Sequence, residues 1–336
     1  MRAAVFEREG VLAVKDIAKP QITKPDQILI EVEACSICGT DVHITAVPPG
    51  YIATPGTTLG HEFCGHVVET GSAVTNLKIG DRVVVNPNNY CGTCTYCRKN
   101  LPNLCEHIEA LGIDYDGAFA KYCCVSAKVA YPISEDVPAE IAACAEPLAC
   151  AINGLNKVHV VPGSTAVVVG SGPIGLMITM LLKSAGVGQV FLLEAAPWRI
   201  EFAKKLNIAT VIDPIYEDAM SAILEATQIG ADYVFDVTGS QIKSCVDYVR
   251  KGGQVVLFGV NKKARIDIAQ SEITTKEILV SGTWLANATF PDAVRVLERK
   301  CIDVASLITD VIALDDISDG TEKLRKGQAV KVIVKP

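Results

Sequence analysis

The sequence predicts an α/β protein in which a doubly wound parallel sheet follows an irregular β-rich region. Three observations predict it. Strand-like and helical stretches alternate from about Pro162 onward, which is the pattern of a parallel sheet wound with helices on both faces. The first 150 residues instead carry short apolar runs punctuated by Gly, Pro and Asn. The length, 336 residues, suits two domains at about 150 residues each.

In chain order, the runs at 28–34, 65–69, 82–85 and 121–125 read as strands, and 48–60, 86–92 and 100–103 as loops. Residues 148–162 mark a change of pattern, not a flexible tether. Beyond them TAVVVG, QVFLLE, TVID, YVFDVTG, QVVLFGV and ILVSGT read as strands, with helices over 174–185, 197–206 and 243–251. A further helical pattern covers 291–300, and VKVIV at 330–334 reads as a strand.

Composition removes several function classes. With 49% hydrophobic and 21% charged residues the chain is a folded one. Lys plus Arg number 31 against 38 Asp plus Glu, a net charge of −7 with no basic run, so no nucleic-acid partner is expected. The apolar stretch near 165–182 is broken by Gly170, Gly172, Pro173 and Gly175 and is no membrane span. Charges in Met1–Gly10 stand where a signal peptide would be apolar, so a cytoplasmic location is expected. Of thirteen cysteines, seven fall between Cys35 and Cys105, and in a reducing compartment such clustering points to metal before redox chemistry.

Gly170-x-Gly172-x-x-Gly175 lies between a β-branched strand and an apolar helix, the context that gives this motif meaning. Gly170 permits the tight turn, Gly172 the approach of a pyrophosphate, and Gly175 close packing of helix on strand. The helix N-terminus offers N–H groups to the anion. Nineteen residues after Gly175, Glu194 is placed to accept both ribose hydroxyls of an adenosine, and its charge opposes a 2′-phosphate. NAD is therefore expected over NADP, with Arg199 nearby as the opposing influence. The sheet is thus of Rossmann type.

Cys91-x2-Cys94-x2-Cys97-x7-Cys105 places four thiols within fifteen residues, enough to close a tetrahedral Zn²⁺ with no open position. An iron–sulfur cluster is the rival reading, though bacterial ferredoxin spacing has three residues, not seven, before the fourth cysteine. Cys38 and His61 could share a metal only if the fold returns the chain. His61-Glu62-Phe63-Cys64-Gly65-His66 has one residue too many for the metalloprotease pattern, and on a strand its two histidines point to opposite sides.

Together, CGTDVH at 38–43, GHEFCG at 60–65 with Gly71, the four-cysteine lobe, Glu146-Pro147-Leu148 and GSGPIG at 170–175 resemble the zinc-dependent medium-chain alcohol dehydrogenase family. Within it the chain looks most like the sorbitol, threonine and galactitol-phosphate dehydrogenase branch. The resemblance implies a β-rich, GroES-like catalytic domain over 1–148, an NAD-binding Rossmann domain over 149–285, and a return to the catalytic domain over 286–336. It implies two Zn²⁺ per chain, one catalytic and one structural, NAD as cofactor, an alcohol or ketone as small-molecule partner, and a homodimer or homotetramer.

By the same resemblance Cys38 and His61 ligate the catalytic zinc, and Glu62 or Glu146 takes a third position or holds the zinc water. Asp41 accepts the far N–H of His61, Thr40 bonds the substrate hydroxyl, and His43 passes the proton onward. Pro173 lies within the glycine turn, and Ile174, Val260 and Thr283 match positions lining the nicotinamide. The sorbitol branch has an Arg–Tyr pair where this chain has Leu285 and Ala286, and loop 44–57 has no phosphate-binding Lys or Arg. A secondary alcohol, polyol or cyclitol is the expected substrate. A threonine-type amino alcohol and a sugar-alcohol phosphate are the alternatives, and a catalytically silent nucleotide-binding scaffold is the alternative of another class.

Overall fold

The computed structural model describes residues 1–336. The N-terminal stretch runs β1 (Arg2–Arg8), β2 (Val11–Asp16), β3 (Gln27–Ser36), α1 (Gly39–Ile44), β4 (Glu62–Thr70), β5 (Arg82–Val85), β6 (Asn88–Asn89), α2 (Thr95–Arg98), β7 (Glu109–Ala110), β8 (Tyr122–Ser126), β9 (Ala130–Pro132), α3 (Ala139–Ala142) and α4 (Ala145–Leu155). The middle stretch runs β10 (Thr165–Val169), α5 (Pro173–Ser184), β11 (Gln189–Leu193), α6 (Pro197–Leu206), β12 (Thr210–Ile212), α7 (Ala219–Thr227), β13 (Ala231–Asp236), α8 (Ile242–Tyr248), β14 (Val249–Leu257), α9 (Gln270–Thr275) and β15 (Leu279–Gly282). Then follow α10 (Phe290–Glu298), β16 (Ile308–Ala313), α11 (Ile317–Arg325) and β17 (Lys331–Lys335).

Two compact units result: Met1–Ala149 with Ala286–Lys300 and Val304–Pro336, and Cys150–Leu285 with Cys301–Asp303. In the first, strands are ordered β16-β17-β3-β4-β5-β9, with β8 also paired to β3. Alternate residues of these strands, Ile28, Ile30 and Val32 with Val83, Val85, Val332 and Val334, share one core, as the two-residue period of a strand requires. Strand β17, made last, pairs antiparallel with β3 and parallel with β16, so it lies inside the sheet.

In the second unit six parallel strands are ordered β12-β11-β10-β13-β14-β15. Counted within the unit this is the order 3-2-1-4-5-6 of a Rossmann sheet, with its switch point between β10 and β13. Ala166–Val169 of β10 are buried throughout, as expected of a strand covered on both faces. One expectation needs correction. The helix read over 243–251 stops at Tyr248, and Val249 already begins β14, where Ala231 of β13 pairs with it before the register shifts. Pairing in the sheet overrides the helical pattern there.

Candidate active site

The first unit brings Cys38, His61 and Glu62 together, with their ligand atoms all within 4.8 Å of one another. The register explains it. Antiparallel β3 and β4 pair Ser36 with Glu62, so the turn after β3 and the residue before β4 meet at one end of the sheet. Cys38 is the N-cap of α1: its Sγ accepts the Thr40 N–H at 3.4 Å, and its own N–H goes to Asp41 Oδ2 at 2.9 Å. His61 follows Gly60, whose φ of +89° and contact with the Phe119 ring exclude any side chain. His66, five residues on, turns the other way to Glu135 at 2.8 Å, which disposes of a protease pair.

Behind the cluster, Glu62 Oε2 accepts from Ser36 Oγ and from Lys331 Nζ of β17. Both side chains of the Glu62–Lys331 ion pair are 2% exposed. Burial alone would raise the Glu62 pKa, but the Lys331 and His61 charges outweigh it and hold the carboxyl below its ordinary value. Burial also opposes a charge on His61, yet Asp41 and Cys38 raise its pKa well above the ordinary one. Burial pushes the Cys38 thiol and the Asp41 carboxyl up. A half-buried thiol, a buried imidazole and two buried carboxyls so arranged are short of positive charge. His61 Nδ1 and Asp41 Oδ1 are buried without hydrogen-bond partners. This donor set fits a divalent zinc ion.

Two sequence expectations are altered here. Asp41 Oδ1 stands 3.7 Å from His61 Nδ1, too long for the expected hydrogen bond, because the carboxylate is tied to the cap of α1 through Oδ2. Glu146 is buried in the first turn of α4, and that helix leaves it outside the mutual reach of the other three donors.

Cys91, Cys94, Cys97 and Cys105 form a second group within 4.8 Å. Cys105 Sγ lies 3.5 Å from Cys91 Sγ and 3.9 Å from Cys94 Sγ, close to the roughly 3.8 Å between sulfurs of a tetrahedron with 2.3 Å Zn–S bonds. Backbone N–H groups of Thr93, Cys94 and His107 point at Cys91 and Cys105 at 3.3–3.4 Å. The Thr93 hydroxyl, then the N–H groups of Thr93 and Cys94, draw the Cys91 thiol down to about 5. Four convergent thiols with N–H donors around them fit a closed zinc site.

In the second unit the glycine turn joins β10 to α5. A Cβ on Gly175 would lie 1.9 Å from Gly170 O, so only glycine fits. Gly172 faces open space, with Arg199 Nη1 at 4.0 Å from where a Cβ would sit. No side chain caps α5, and its first N–H groups are open to a phosphate. Pro173 and Ile174 form its first turn, half-buried. Val260 (58% exposed) and Thr283 follow β14 and β15 at the same carboxyl edge, and the Thr283 N–H donates to Leu257 O at 3.0 Å. Glu194 follows β11 and accepts four hydrogen bonds from Ser171, Ala195 and Ala196.

Family comparison settles the class. Residues 24–135 match the alcohol dehydrogenase GroES-like domain, and residues 173–299 match the zinc-binding dehydrogenase domain. The L-threonine 3-dehydrogenase of Caldanaerobacter subterraneus subsp. tengcongensis is 36% identical, over 98% of this chain and 97% of the relative. The chain belongs to the zinc-dependent medium-chain alcohol dehydrogenase family. It is an oxidoreductase acting on an alcohol with zinc and a nicotinamide cofactor. D-arabinitol dehydrogenase 1 of Uromyces fabae is 34% identical to this dehydrogenase, over 100% of it and 97% of the relative. A Sinorhizobium meliloti structure assigned as a zinc-binding dehydrogenase and bound to NADP superposes with a TM-score of 0.93 at 33% identity, covering 100% and 99% of the two chains.

Sequence reasoning missed several residues of the dehydrogenase. Ser36 and Lys331 hold Glu62, and Arg325 of α11 donates to Thr45 O at 3.3 Å and Thr45 Oγ1 at 3.2 Å, pinning the end of α1. Only strand pairing across 269 residues brings Lys331 to Glu62; the one signal is a lone Lys in the apolar run VKVIV. Thr40, half-buried, and His43, exposed, sit three apart on α1, neighbours on a helical surface. No helix is long and apolar enough to cross a membrane.

Proposed function

We propose that this dehydrogenase interconverts a secondary alcohol or polyol, cyclitols included, with the ketone, using NAD in preference to NADP and two zinc ions per chain. The observation that carries the reading is the Cys38–His61–Glu62 group, half-buried at Cys38 and buried at the other two, beside Thr40 and separate from the four-cysteine group. Three protein donors are the count of an open, catalytic zinc site, and four thiolates that of a closed, structural one. In this reading Cys38, His61 and Glu62, rather than Glu146, hold the catalytic ion. When bound, that zinc supplies Lewis acidity to the substrate oxygen, and the nicotinamide supplies the hydride acceptor.

The chain's own residues supply orientation and proton transfer. Thr40 bonds the substrate hydroxyl, and exposed His43, one turn along α1, delivers the proton to solvent. Ser36 and Lys331 fix Glu62 from behind. Glu194 takes the ribose hydroxyls and repels a 2′-phosphate. Ile174, Val260 and Thr283 border the nicotinamide.

A second reading, a threonine-type amino-alcohol dehydrogenase, is favoured by the Caldanaerobacter relative. A sugar-alcohol phosphate is disfavoured by the absence of Lys and Arg from 44–57. A panel of secondary alcohols, polyols, cyclitols and L-threonine with NAD⁺ and NADP⁺, read as reduced nicotinamide absorbance beside elemental analysis, tests these points. Turnover of L-threonine alone selects the second reading. Faster turnover with NADP⁺ overturns the cofactor assignment, and one zinc per chain overturns the metal count. Nucleotide binding without turnover of any alcohol returns the silent scaffold. We further propose a homodimer or homotetramer in the cytoplasm. Edge strand β15 with exposed Leu279 suits pairing between copies, and thirteen free cysteines suit a reducing compartment. Light scattering that returns a monomer mass overturns the assembly.

A further inference from the structure

We propose that Ser171 is a positioning residue that locks Glu194 in place, so that NADP is refused because the acid cannot move aside. The inference rests on the reading of Glu194 as the ribose acceptor. Parallel β10 and β11 pair Val169 with Leu193, which sets Ser171, in the glycine turn, beside Glu194. Glu194 Oε2 accepts the Ser171 N–H at 2.8 Å and the Ser171 hydroxyl at 2.9 Å. Oε1 accepts the N–H groups of Ala195 and Ala196, both at 2.9 Å. Each carboxylate oxygen is thus held by two donors of the chain.

Ser171 is 1% exposed, so its hydroxyl does not reach a ligand and has no water to replace Glu194. Its action is through the carboxylate. A 2′-phosphate could be admitted if Glu194 swung outward, but that motion breaks four charge-assisted hydrogen bonds together. The counter-charge a phosphate needs is already at hand. Arg199 faces Gly172 and has its Nε buried without a partner. Specificity in this chain therefore comes from immobilising the acid. Loosening it should admit the phosphate to a waiting guanidinium and leave diol binding nearly unchanged.

The test is calorimetric binding of 5′-AMP and 2′,5′-ADP, which carry only the adenosine end, to the zinc-loaded protein. Ser171→Ala keeps the backbone donor and removes only the hydroxyl. It should narrow the preference for 5′-AMP about tenfold, the worth of one charge-assisted hydrogen bond, mainly by tighter binding of 2′,5′-ADP. Ser171→Cys, a weak donor, should fall between, and serves if the alanine variant folds poorly. In a Glu194→Gln background Ser171→Ala should no longer change the ratio. If Glu194→Gln itself leaves the ratio unchanged, the ribose reading fails, and this inference with it. If Glu194→Gln narrows the ratio while Ser171→Ala does not, or Ser171→Ala weakens both probes equally, the lock is refuted and the ribose reading stands.

Discussion

Lys331→Met takes the positive member out of a pair whose two side chains are each 2% exposed. The Glu62 carboxylate is then left buried with Ser36 and His61 as its remaining partners. Breaking a buried pair by deleting one partner costs about 3–5 kcal/mol, because the other charge stays desolvated. For a folding unit of about 200 residues that lowers the melting midpoint by roughly 6–20 °C. The pH dependence has a definite sign. In the native protein Glu62 is held below the ordinary 4.5, so its share of the stability is present above that value and is lost as pH falls through the lower, folded one. Lys331 is held above the ordinary 10.5 because Glu62 outweighs the burial that would lower it. Its share is present below 10.5 and is lost only as pH rises through the folded value. In the variant the main charge holding Glu62 down is gone, burial dominates, and the carboxyl pKa rises. The stability deficit should therefore be largest near neutrality and shrink as the solution is made acidic. Urea unfolding of the zinc-stripped protein from pH 4 to 8 measures it. The double change Lys331→Met with Glu62→Gln should recover most of the loss, since no charge is stranded. A loss under about 1 kcal/mol at pH 7, with no recovery in the double variant, would refute the view of a desolvated pair.

Cys97→Ser should lower zinc content by one ion per chain and cost stability more than turnover, whereas Cys38→Ser should abolish turnover and leave NAD binding nearly intact; elemental analysis, melting and cofactor titration separate them. Loss of activity in a Cys97→Ser protein that melts normally would reverse the two assignments. Thr40→Ala should slow alcohol oxidation by about 10²–10⁴, and His43→Ala by less, with partial rescue by added imidazole or higher pH. Equal, unrescued losses would send the proton by another route. Glu62→Gln should weaken zinc retention against a chelator more than Glu146→Gln does; the reverse order would make Glu146 the third donor.

The Rossmann half was legible because its information is local. Strand, glycines, helix and acid at 165–194 follow one another in sequence, and β10, α5 and β11 fall within a residue or two of the runs that announced them. The β-rich half was legible only as strands, since nothing in the spacing of Cys38 and His61 states that β3 and β4 pair Ser36 with Glu62. For the same reason the choice between Glu62 and Glu146 could not be made from residue types. Asp41 shows another limit: its Oδ2 is taken by the Cys38 N–H at the cap of α1, which leaves Oδ1 at 3.7 Å from His61 Nδ1, and residue type alone does not foretell that competition. Lys331, Arg325 and Ser171 act through contacts that no motif encodes.

The place of β17 between β3 and β16 has a consequence for how the polypeptide is made. Synthesis proceeds at about 5–20 residues per second, so Lys331 emerges roughly 10–50 s after β3, β4 and β5 have left the ribosome. Through that interval the β3 edge lacks its neighbour and the Glu62 carboxyl lacks its counter-charge, and before it ends the continuous segment 150–285 has all its own strands to hand. The nucleotide-binding unit can therefore complete first, and the metal-binding unit is the one exposed to edge pairing and to premature capture of metal by thiols. A nascent chain halted before residue 331 should be the form that holdase chaperones retain.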